Sequence, residues 1–156
     1  MGIDYNFGRA FAKSQLATGI NLPSEGIVFI SVKDSDKPEV LNIAWSLVEL
    51  GYKLIATRGT WDYFSKNGIS STPINKVKEG SPHVVESLKE GKINLVINTT
   101  FGKESIEDSY SLRRASLTQN LPYFTTLSAG YALVEALKAI QGKELGVCSL
   151  QEYGTA

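Results

Sequence analysis

The stretch INLVIN at residues 93–98 decides the fold of this chain. It is a short apolar run that follows Gly91 and ends in polar residues, which is typical of a strand buried on both faces of a parallel sheet. Two runs of the same kind precede it, IVFISV at 27–32 and KLIAT at 53–57. Helical patterns separate the three runs, and right-handed crossovers place such helices on both faces of the sheet. The sequence therefore predicts an α/β fold with a single doubly wound, Rossmann-like parallel sheet flanked by helices.

Apolar spacing and turn residues predict the remaining elements. A helix begins with Asp36 as a plausible cap and stops near Gly51. The first 20 residues form an amphipathic pattern whose apolar stripe includes Phe7 and Phe11. Residues 21–26 are predicted to be a linker. Further helices are expected over about 60–67, 82–90, 106–119 and 127–140, and further strands near 73–76, 122–125 and, at the sheet edge, 144–150.

Composition limits the function classes. Lys plus Arg and Asp plus Glu each number 16 in 156 residues, so no overall charge attracts the chain to nucleic acid or to a membrane. No apolar run approaches the roughly 20 residues that cross a bilayer. Cys148 is the only cysteine, which excludes an internal disulfide and favours a reducing, cytoplasmic location. We expect Cys148 to pack as a small apolar residue.

Polar residues gather where the predicted strands end. In an open parallel sheet, ligands bind outside the carboxyl ends of the strands, near the point where strand order reverses. The residues at those ends carry hydroxyl, amide and ammonium groups and almost no general base, which suits one anion and one sugar. They are Ser31 through Lys37, Thr57-Arg58-Gly59-Thr60, Lys76, Asn98-Thr99-Thr100 and Thr125-Thr126.

The segment Thr57-Arg58-Gly59-Thr60 is the most informative of these ends. Gly59 permits a tight turn, and the N-terminus of the following helix offers free N–H groups to an anion. The alternative is that Thr60 is only a helix cap. Lys37 lies in the first turn of a helix, where a cation opposes the helix dipole unless an anion is near. For Lys37 and Lys76 the alternative is an ordinary solvated lysine.

Other polar residues favour structural roles. His83 is the only histidine and has no clustered ligands for a metal, so a loop-ordering role is expected for it. Arg113 and Arg114 can attract phosphate, but ion pairs on the helix surface with Glu107 or Asp108 are the simpler interpretation. For Asp108, the alternative to such an ion pair is a role in recognising a ligand hydroxyl.

Six segments together resemble one known family. They are SVKDSDK (31–37), ATRGT (56–60), INKVKEGSPH (74–83), GKINLVINTT (91–100), IEDSYSLRRASL (106–117) and TTLSAG (125–130). The chain resembles, over essentially its whole length, the C-terminal regulatory, methylglyoxal-synthase-like domain of the large subunit of carbamoyl phosphate synthetase. The resemblance implies residues 1–22 as a linker helix from a preceding synthetase region and residues 23–156 as the regulatory domain.

The resemblance implies allosteric control by nucleotides, without catalysis by the domain itself. Bacterial members bind UMP, an inhibitor, and IMP, an activator, at overlapping positions. The implied partners are these nucleotides, the rest of the large subunit and, through it, the glutaminase small subunit of an enzyme of arginine and pyrimidine biosynthesis. No cofactor is implied for the domain; ATP, Mg or Mn, and K belong to the parent enzyme.

The family's ligand contacts carry over to positions already found at the strand ends. The position of Lys76 looks aromatic in the acetylglutamate-responsive branch, so lysine here favours a nucleotide. Thr125 matches a position that faces the neighbouring domain, where the family's ornithine site lies. The implied effector contacts are Lys37, Thr57, Gly59, Thr60, Lys76, Asn98, Thr99 and Thr100, with Ser31 and Asp108 as further positions near the ligand.

Three rival functions remain in view. Methylglyoxal synthase is a lyase that acts on dihydroxyacetone phosphate with a catalytic aspartate and histidine. Here the first loop reads Ser31-Val32-Lys33-Asp34 in place of that histidine, and Ser81-Pro82-His83 stands where the aspartate is expected. The second rival is the similar domain of the bifunctional enzyme that closes the inosinate ring, whose downstream sequence diverges. A protein-interaction module comes third, because it does not need polar strand ends.

Overall fold

The computed structural model describes residues 1–99 and 103–153, the side chains of residues 103–108 excepted. Five strands alternate with helices along this part of the chain. The strands are β1 (Ile27–Ser31), β2 (Lys53–Thr57), β3 (Thr72–Ile74), β4 (Leu95–Asn98) and β5 (Tyr123–Phe124). The helices are α1 (Phe7–Ala17), α2 (Lys37–Glu49), α3 (Arg58–Lys66), α4 (Val84–Lys89), α5 (Lys103–Thr118), α6 (Leu127–Ile140) and α7 (Leu150–Tyr153).

The five strands form one parallel sheet in the order β3-β2-β1-β4-β5. From β1 the chain first builds outward on one side, through β2 and β3, and then returns to the other side of β1 to form β4 and β5. Strand order therefore reverses between β1 and β4, and their carboxyl ends border the crevice where such folds bind ligands. The predicted doubly wound α/β fold is confirmed.

The apolar core lies on both faces of the sheet. Val28 and Ile30 of β1 point to one face, where α2 and α6 supply Ile43 and Leu133. Phe29 points to the other face and packs with buried residues of α4 and α5. The side chains of a strand alternate between the two faces, so an apolar run such as IVFIS must be covered on both sides.

Four predictions about local structure were wrong. Residues 144–149 form no strand. An additional edge strand beside β5 would have only the two residues of β5 to pair with. The first helix starts at Phe7, and Gly8 and Ala12 are its buried residues, whereas Phe7 is 64% exposed. Asp36 makes no side-chain cap, because it closes a 3-10 turn, Asp34–Asp36, with helical backbone angles. Cys148 is not packed in the core, and its Sγ lies 3.2 Å from Glu152 Oε2.

The segment before α1 is tied to α7. Asp4 accepts hydrogen bonds from Lys13 Nζ at 2.8 Å and Arg9 Nε at 3.2 Å. The hydrogen bond from Lys13 is the main reason that the pKa of Asp4 falls to about 2. Tyr153 donates its hydroxyl to Ile3 O at 3.0 Å, and its ring lies 4.9 Å from that of Tyr5. These contacts hold the two ends of the described chain side by side.

Gly8 allows α1 to lie directly on α6. A Cβ at Gly8 would overlap the backbone carbonyl of Glu135 and would also touch Ala139. Phe11, one turn away on α1, packs against the core of the domain. Helix α1 is therefore packed on the domain, and the expected division into residues 1–22 and 23–156 stays a prediction.

We predict that Gly8→Ala lowers the free energy of unfolding by about 1–3 kcal/mol, the cost of overpacking a close helix contact. Urea denaturation followed by circular dichroism measures the change. Gly146→Ala is the matched control, because a Cβ there meets only Arg9 Nη2 at 3.9 Å. Equal stabilities of the two variants would contradict the close contact between α1 and α6.

Candidate anion-binding site

A cavity of about 570 Å³ opens at the carboxyl ends of the central strands. It lies at the reversal of strand order, where the fold predicts a ligand crevice. The first turns of α2 and α3 border it, together with the loop after β1 and the 3-10 turn Val77–Glu79 after β3. The predicted site residues among those that line it are Ser31, Lys37, Thr57, Gly59, Thr60, Lys76 and Thr99.

Hydroxyl groups join the strand ends across this cavity. Ser31 Oγ lies 3.1 Å from Thr57 Oγ1, and the Thr57 hydroxyl donates to Thr60 Oγ1 at 3.4 Å. The backbone N–H of Val32 also donates to Thr60 Oγ1, at 3.3 Å. Thr99 Oγ1 accepts from the N–H of Lys33 at 3.2 Å. The loop after β1 is therefore fixed to both neighbouring strand ends.

Helix α3 begins directly at the end of β2. Thr57 is its N-cap and has extended backbone angles, φ −62° and ψ 151°, but its side chain bonds to no helix N–H. Thr60 lies inside the helix and is 1% exposed, so the alternative that Thr60 is the cap was wrong. The N–H groups of the first helical turn have no intrahelical acceptor and carry the positive end of the helix dipole. This end of α3 can hold an anion.

Gly59, in the first turn of α3, lies beside the side chain of Lys37. A Cβ at position 59 would lie 3.4 Å from Lys37 Nζ, an ordinary van der Waals distance. Lys37 Nζ thus reaches over the first turn of α3, although the lysine belongs to α2. A cation placed there adds to the positive helix terminus, which strengthens the site for an anion.

Two carboxylates also line the cavity, contrary to the expected near-absence of general bases. Asp34 Oδ1 lies 2.7 Å from Lys37 Nζ, and this hydrogen bond is the main cause of the lowered pKa of Asp34; the charge of Lys76 contributes further. Glu79 Oε2 accepts the N–H of Lys76 at 2.8 Å. Sequence reasoning missed Glu79 because its 3-10 turn follows a three-residue strand and carries no periodic signal.

Arg58 and Lys33 are further lining residues that were not predicted as ligand contacts. Both occur inside motifs already singled out, SVKDSDK and ATRGT. The sequence therefore located these residues near the site but did not indicate that their side chains line the cavity. With Lys37 and Lys76 they place four cationic side chains around a cavity that also holds two carboxylates.

Asn98 adjoins the main cavity. It lines a smaller cavity of about 40 Å³ that shares Ser31, Thr57 and Lys76 with the larger one. The side chain of Asn98 is buried at the end of β4, and its amide donates to Ser109 and Tyr123. Thr125 is exposed and lines neither cavity. Thr100 and the side chain of Asp108 lie outside the described residues.

The other singled-out residues have structural contacts. His83 is the N-cap of α4, and its Nδ1 accepts the N–H of Glu86 at 3.4 Å. The guanidinium of Arg113 lies 5.7 Å from the centre of the Tyr123 ring. Across residues 1–99 and 109–153, no group of three or more His, Cys, Asp or Glu side chains is arranged to hold a metal ion. No helix in these ranges is long and apolar enough to cross a membrane.

Comparison with known proteins agrees with this architecture. Residues 39–125, which carry the lining residues Thr57, Thr60, Lys76 and Thr99, match the family model described as MGS-like domain. The chain belongs to the MGS-like domain family. Lys37, the first residue of α2, lies just before the matched region.

Relatives of this MGS-like domain are parts of much longer proteins. The carbamoyl phosphate synthase large chain of Myxococcus xanthus is 49% identical over 153 residues, which cover 98% of this chain and 14% of that protein. The C-terminal section of the large chain of Aquifex aeolicus is 46% identical over 157 residues, covering 97% of this chain and 29% of that section. The resemblance to the C-terminal part of this large chain is confirmed.

A solved structure shares the fold at low sequence identity. The MGS-like domain superposes on the crystal structure of methylglyoxal synthase from Elizabethkingia anophelis with a TM-score of 0.59 and 16% identity. The superposition covers 86% of this chain and 93% of the other. At this identity the likeness describes the fold alone.

We predict that Asp34→Asn raises the affinity of the cavity for inorganic phosphate about two- to fivefold, the scale of one exposed ion pair. The carboxylate of Asp34 is 94% exposed and engages Lys37, so removing its charge frees the lysine for the anion. Isothermal titration calorimetry at low salt measures the change, which added salt should reduce.

Glu135→Gln on α6 is the matched control, because Glu135 also pairs with a lysine three residues away, Lys138, at 3.5 Å and does not line the cavity. An unchanged or weaker phosphate affinity of the Asp34 variant would show that Asp34 does not compete with the anion.

Proposed function

We propose that this MGS-like domain binds a nucleoside monophosphate, UMP or IMP, in the cavity at the strand ends. The observation that carries the proposal is that Lys37 and Lys76, from two separate elements, line one cavity together with the first turn of α3. A phosphate monoester carries a charge of about −1.5 to −2 at pH 7 and accepts hydrogen bonds through three oxygens. Hydroxyls, ammonium groups and helix N–H groups are the donors that such a group requires.

The proposed placement divides the ligand between two parts of the site. Lys37, Lys76, Thr57, Thr60 and the N–H groups near Gly59 hold the phosphate. Asn98, at the adjoining cavity, orients the ribose or the base. The volume of about 570 Å³ falls within the range of roughly 300–1,000 Å³ that is usual for small-molecule sites.

We propose further that binding regulates a carbamoyl phosphate synthase large chain, the protein type of the similar relatives. In that setting the partners are the rest of the large chain and the glutaminase small subunit, and ATP, Mg or Mn, and K act elsewhere in the enzyme. A nucleotide shifts the enzyme between two states only by the difference in its affinity for them. That difference is transmitted through a domain interface that includes Thr125, which is exposed here. The cytoplasmic location expected from the sequence stays a prediction.

The domain is proposed to be non-catalytic. The two carboxylates of the cavity already have partners, Lys37 for Asp34 and the N–H of Lys76 for Glu79. His83 caps α4 and does not line the main cavity. A general base must be within reach of the proton that it removes, and we propose that none of these three groups serves as one. The alternative function, a lyase acting on dihydroxyacetone phosphate, predicts turnover of that substrate in a direct assay.

We predict that Lys76→Ala weakens UMP or IMP binding about 10- to 150-fold, equal to about 1.5–3 kcal/mol for hydrogen bonds to a charged group. Calorimetric titration of both nucleotides into the wild type and the variant measures the loss. Lys92→Ala is the matched control. Lys92 is exposed, pairs with Glu90 at 2.6 Å and precedes β4, so it lies at the amino ends of the strands, away from the cavity at their carboxyl ends.

Wild-type protein that binds neither nucleotide would overturn the proposed function. Unchanged nucleotide affinity of the Lys76 variant would show that Lys76 does not contact the ligand. Formation of methylglyoxal from dihydroxyacetone phosphate would instead establish the lyase.

A further inference from the structure

The side-chain amide of Asn98 is held from two directions. Asn98 is 5% exposed at the carboxyl end of β4. Its Nδ2 donates to Tyr123 Oη at 2.7 Å and to Ser109 Oγ at 3.1 Å. Tyr123 belongs to β5 and Ser109 to α5, so three elements meet at this one amide.

With Nδ2 donating to both hydroxyl groups, one atom of the amide is left for a ligand. An asparagine NH₂ group has two hydrogens, and here one is directed to each hydroxyl oxygen. Oδ1 is the remaining hydrogen-bonding atom, and a carbonyl oxygen only accepts. A phosphate oxygen that carries negative charge cannot donate to it, whereas a sugar hydroxyl or a base N–H can.

We propose that Tyr123, together with Ser109, is a positioning residue that holds Asn98 with Oδ1 as an acceptor for a hydroxyl or N–H donor of the ligand. This inference rests on the proposed function and deepens it. It assigns a direction to the bound molecule, with the phosphate at the Lys37 end and the sugar or base at the Asn98 end.

The surroundings of Asn98 make this orientation consequential. The adjoining cavity has about 40 Å³, and its apolar lining includes Phe29, Val84 and Leu112. In such a low-dielectric setting a hydrogen bond is stronger and an unpaired polar atom is more costly. An amide turned the wrong way would therefore discriminate against the ligand group that the correct orientation accepts.

The Tyr123 ring is itself held in place. The guanidinium of Arg113 lies over the ring at 5.7 Å from its centre, and the ring packs against the core on the α4 and α5 side. Replacing Tyr123 with Phe keeps the ring and its cation contact and removes only the hydroxyl. The change therefore tests the hydrogen bond to Asn98 without removing the packing.

The experiment titrates UMP, IMP and inorganic phosphate into the wild type, Tyr123→Phe and Ser109→Ala by calorimetry. Tyr110→Phe is the matched control, because Tyr110 is 65% exposed on the outer side of α5. We expect Tyr123→Phe to weaken nucleotide binding about fivefold, the scale of one hydrogen bond, and to change phosphate binding less than about twofold. In an Asn98→Ala background the same change should have no further effect, since Tyr123 acts only through Asn98.

A second readout does not depend on the Asn98→Ala variant folding. The ¹⁵N-resolved side-chain amide signal of Asn98 should shift in Tyr123→Phe, while the backbone spectrum outside this cluster keeps its wild-type pattern. An unshifted signal, an unchanged nucleotide affinity, or equal losses for nucleotide and phosphate would each overturn the positioning role. Wild-type protein that binds phosphate but neither nucleotide would overturn the proposed function instead, which separates the two failures.

Discussion

The site depends on the hydrogen bond by which Thr99 N–H, just past the end of β4, reaches Ser31 O at the end of β1, at 3.0 Å. It extends the pairing of the two central strands by one residue, at the point where strand order reverses. The loop that follows β1 then borders the cavity through Val32, Lys33 and Asp34. The Thr99 hydroxyl oxygen accepts a hydrogen bond from the N–H of Lys33, so the same residue also positions the loop that leads to α2. Backbone pairing at the centre of the sheet thus positions side chains that are far apart in sequence.

The charges around the cavity are mixed, with four cationic side chains and two carboxylates. Lys37 is drawn toward Asp34, and the N–H of Lys76 is held by Glu79. Each interaction fixes part of the cavity lining before any ligand arrives, which reduces the ordering that binding requires. The cost is competition, because an incoming anion must share the Lys37 ammonium group with a carboxylate. The cavity therefore gains preorganisation at the expense of part of its electrostatic attraction.

Much of this architecture could be predicted from the sequence. The strand at 53–57 and the helix at 127–140 were predicted with their observed bounds, because an apolar run and a regular helical stripe are both local signals. The cavity-lining positions Lys37, Thr57 and Lys76 followed from the rule that parallel strands end at one edge. The predicted capping role of Asp36 was wrong because a 3-10 turn precedes α2, and the predicted strand at 144–150 was wrong because β5 has only two residues. Both features depend on tertiary context. The contact between Asn98 and Tyr123 joins residues 25 positions apart, and no local pattern encodes it.

The pairing of Tyr153 with Ile3 and of Tyr5 with Glu152 brings the segment before α1 against α7. A short peptide bridge between them would close the polypeptide into a ring at little entropic cost, because the loop to be closed is small. The ring could then be opened at an exposed turn such as the one at Gly68, on the far side of α3 from the cavity, to give a circular permutant. In such a permutant, the strand ends that line the site would keep their neighbours although their order along the chain had changed.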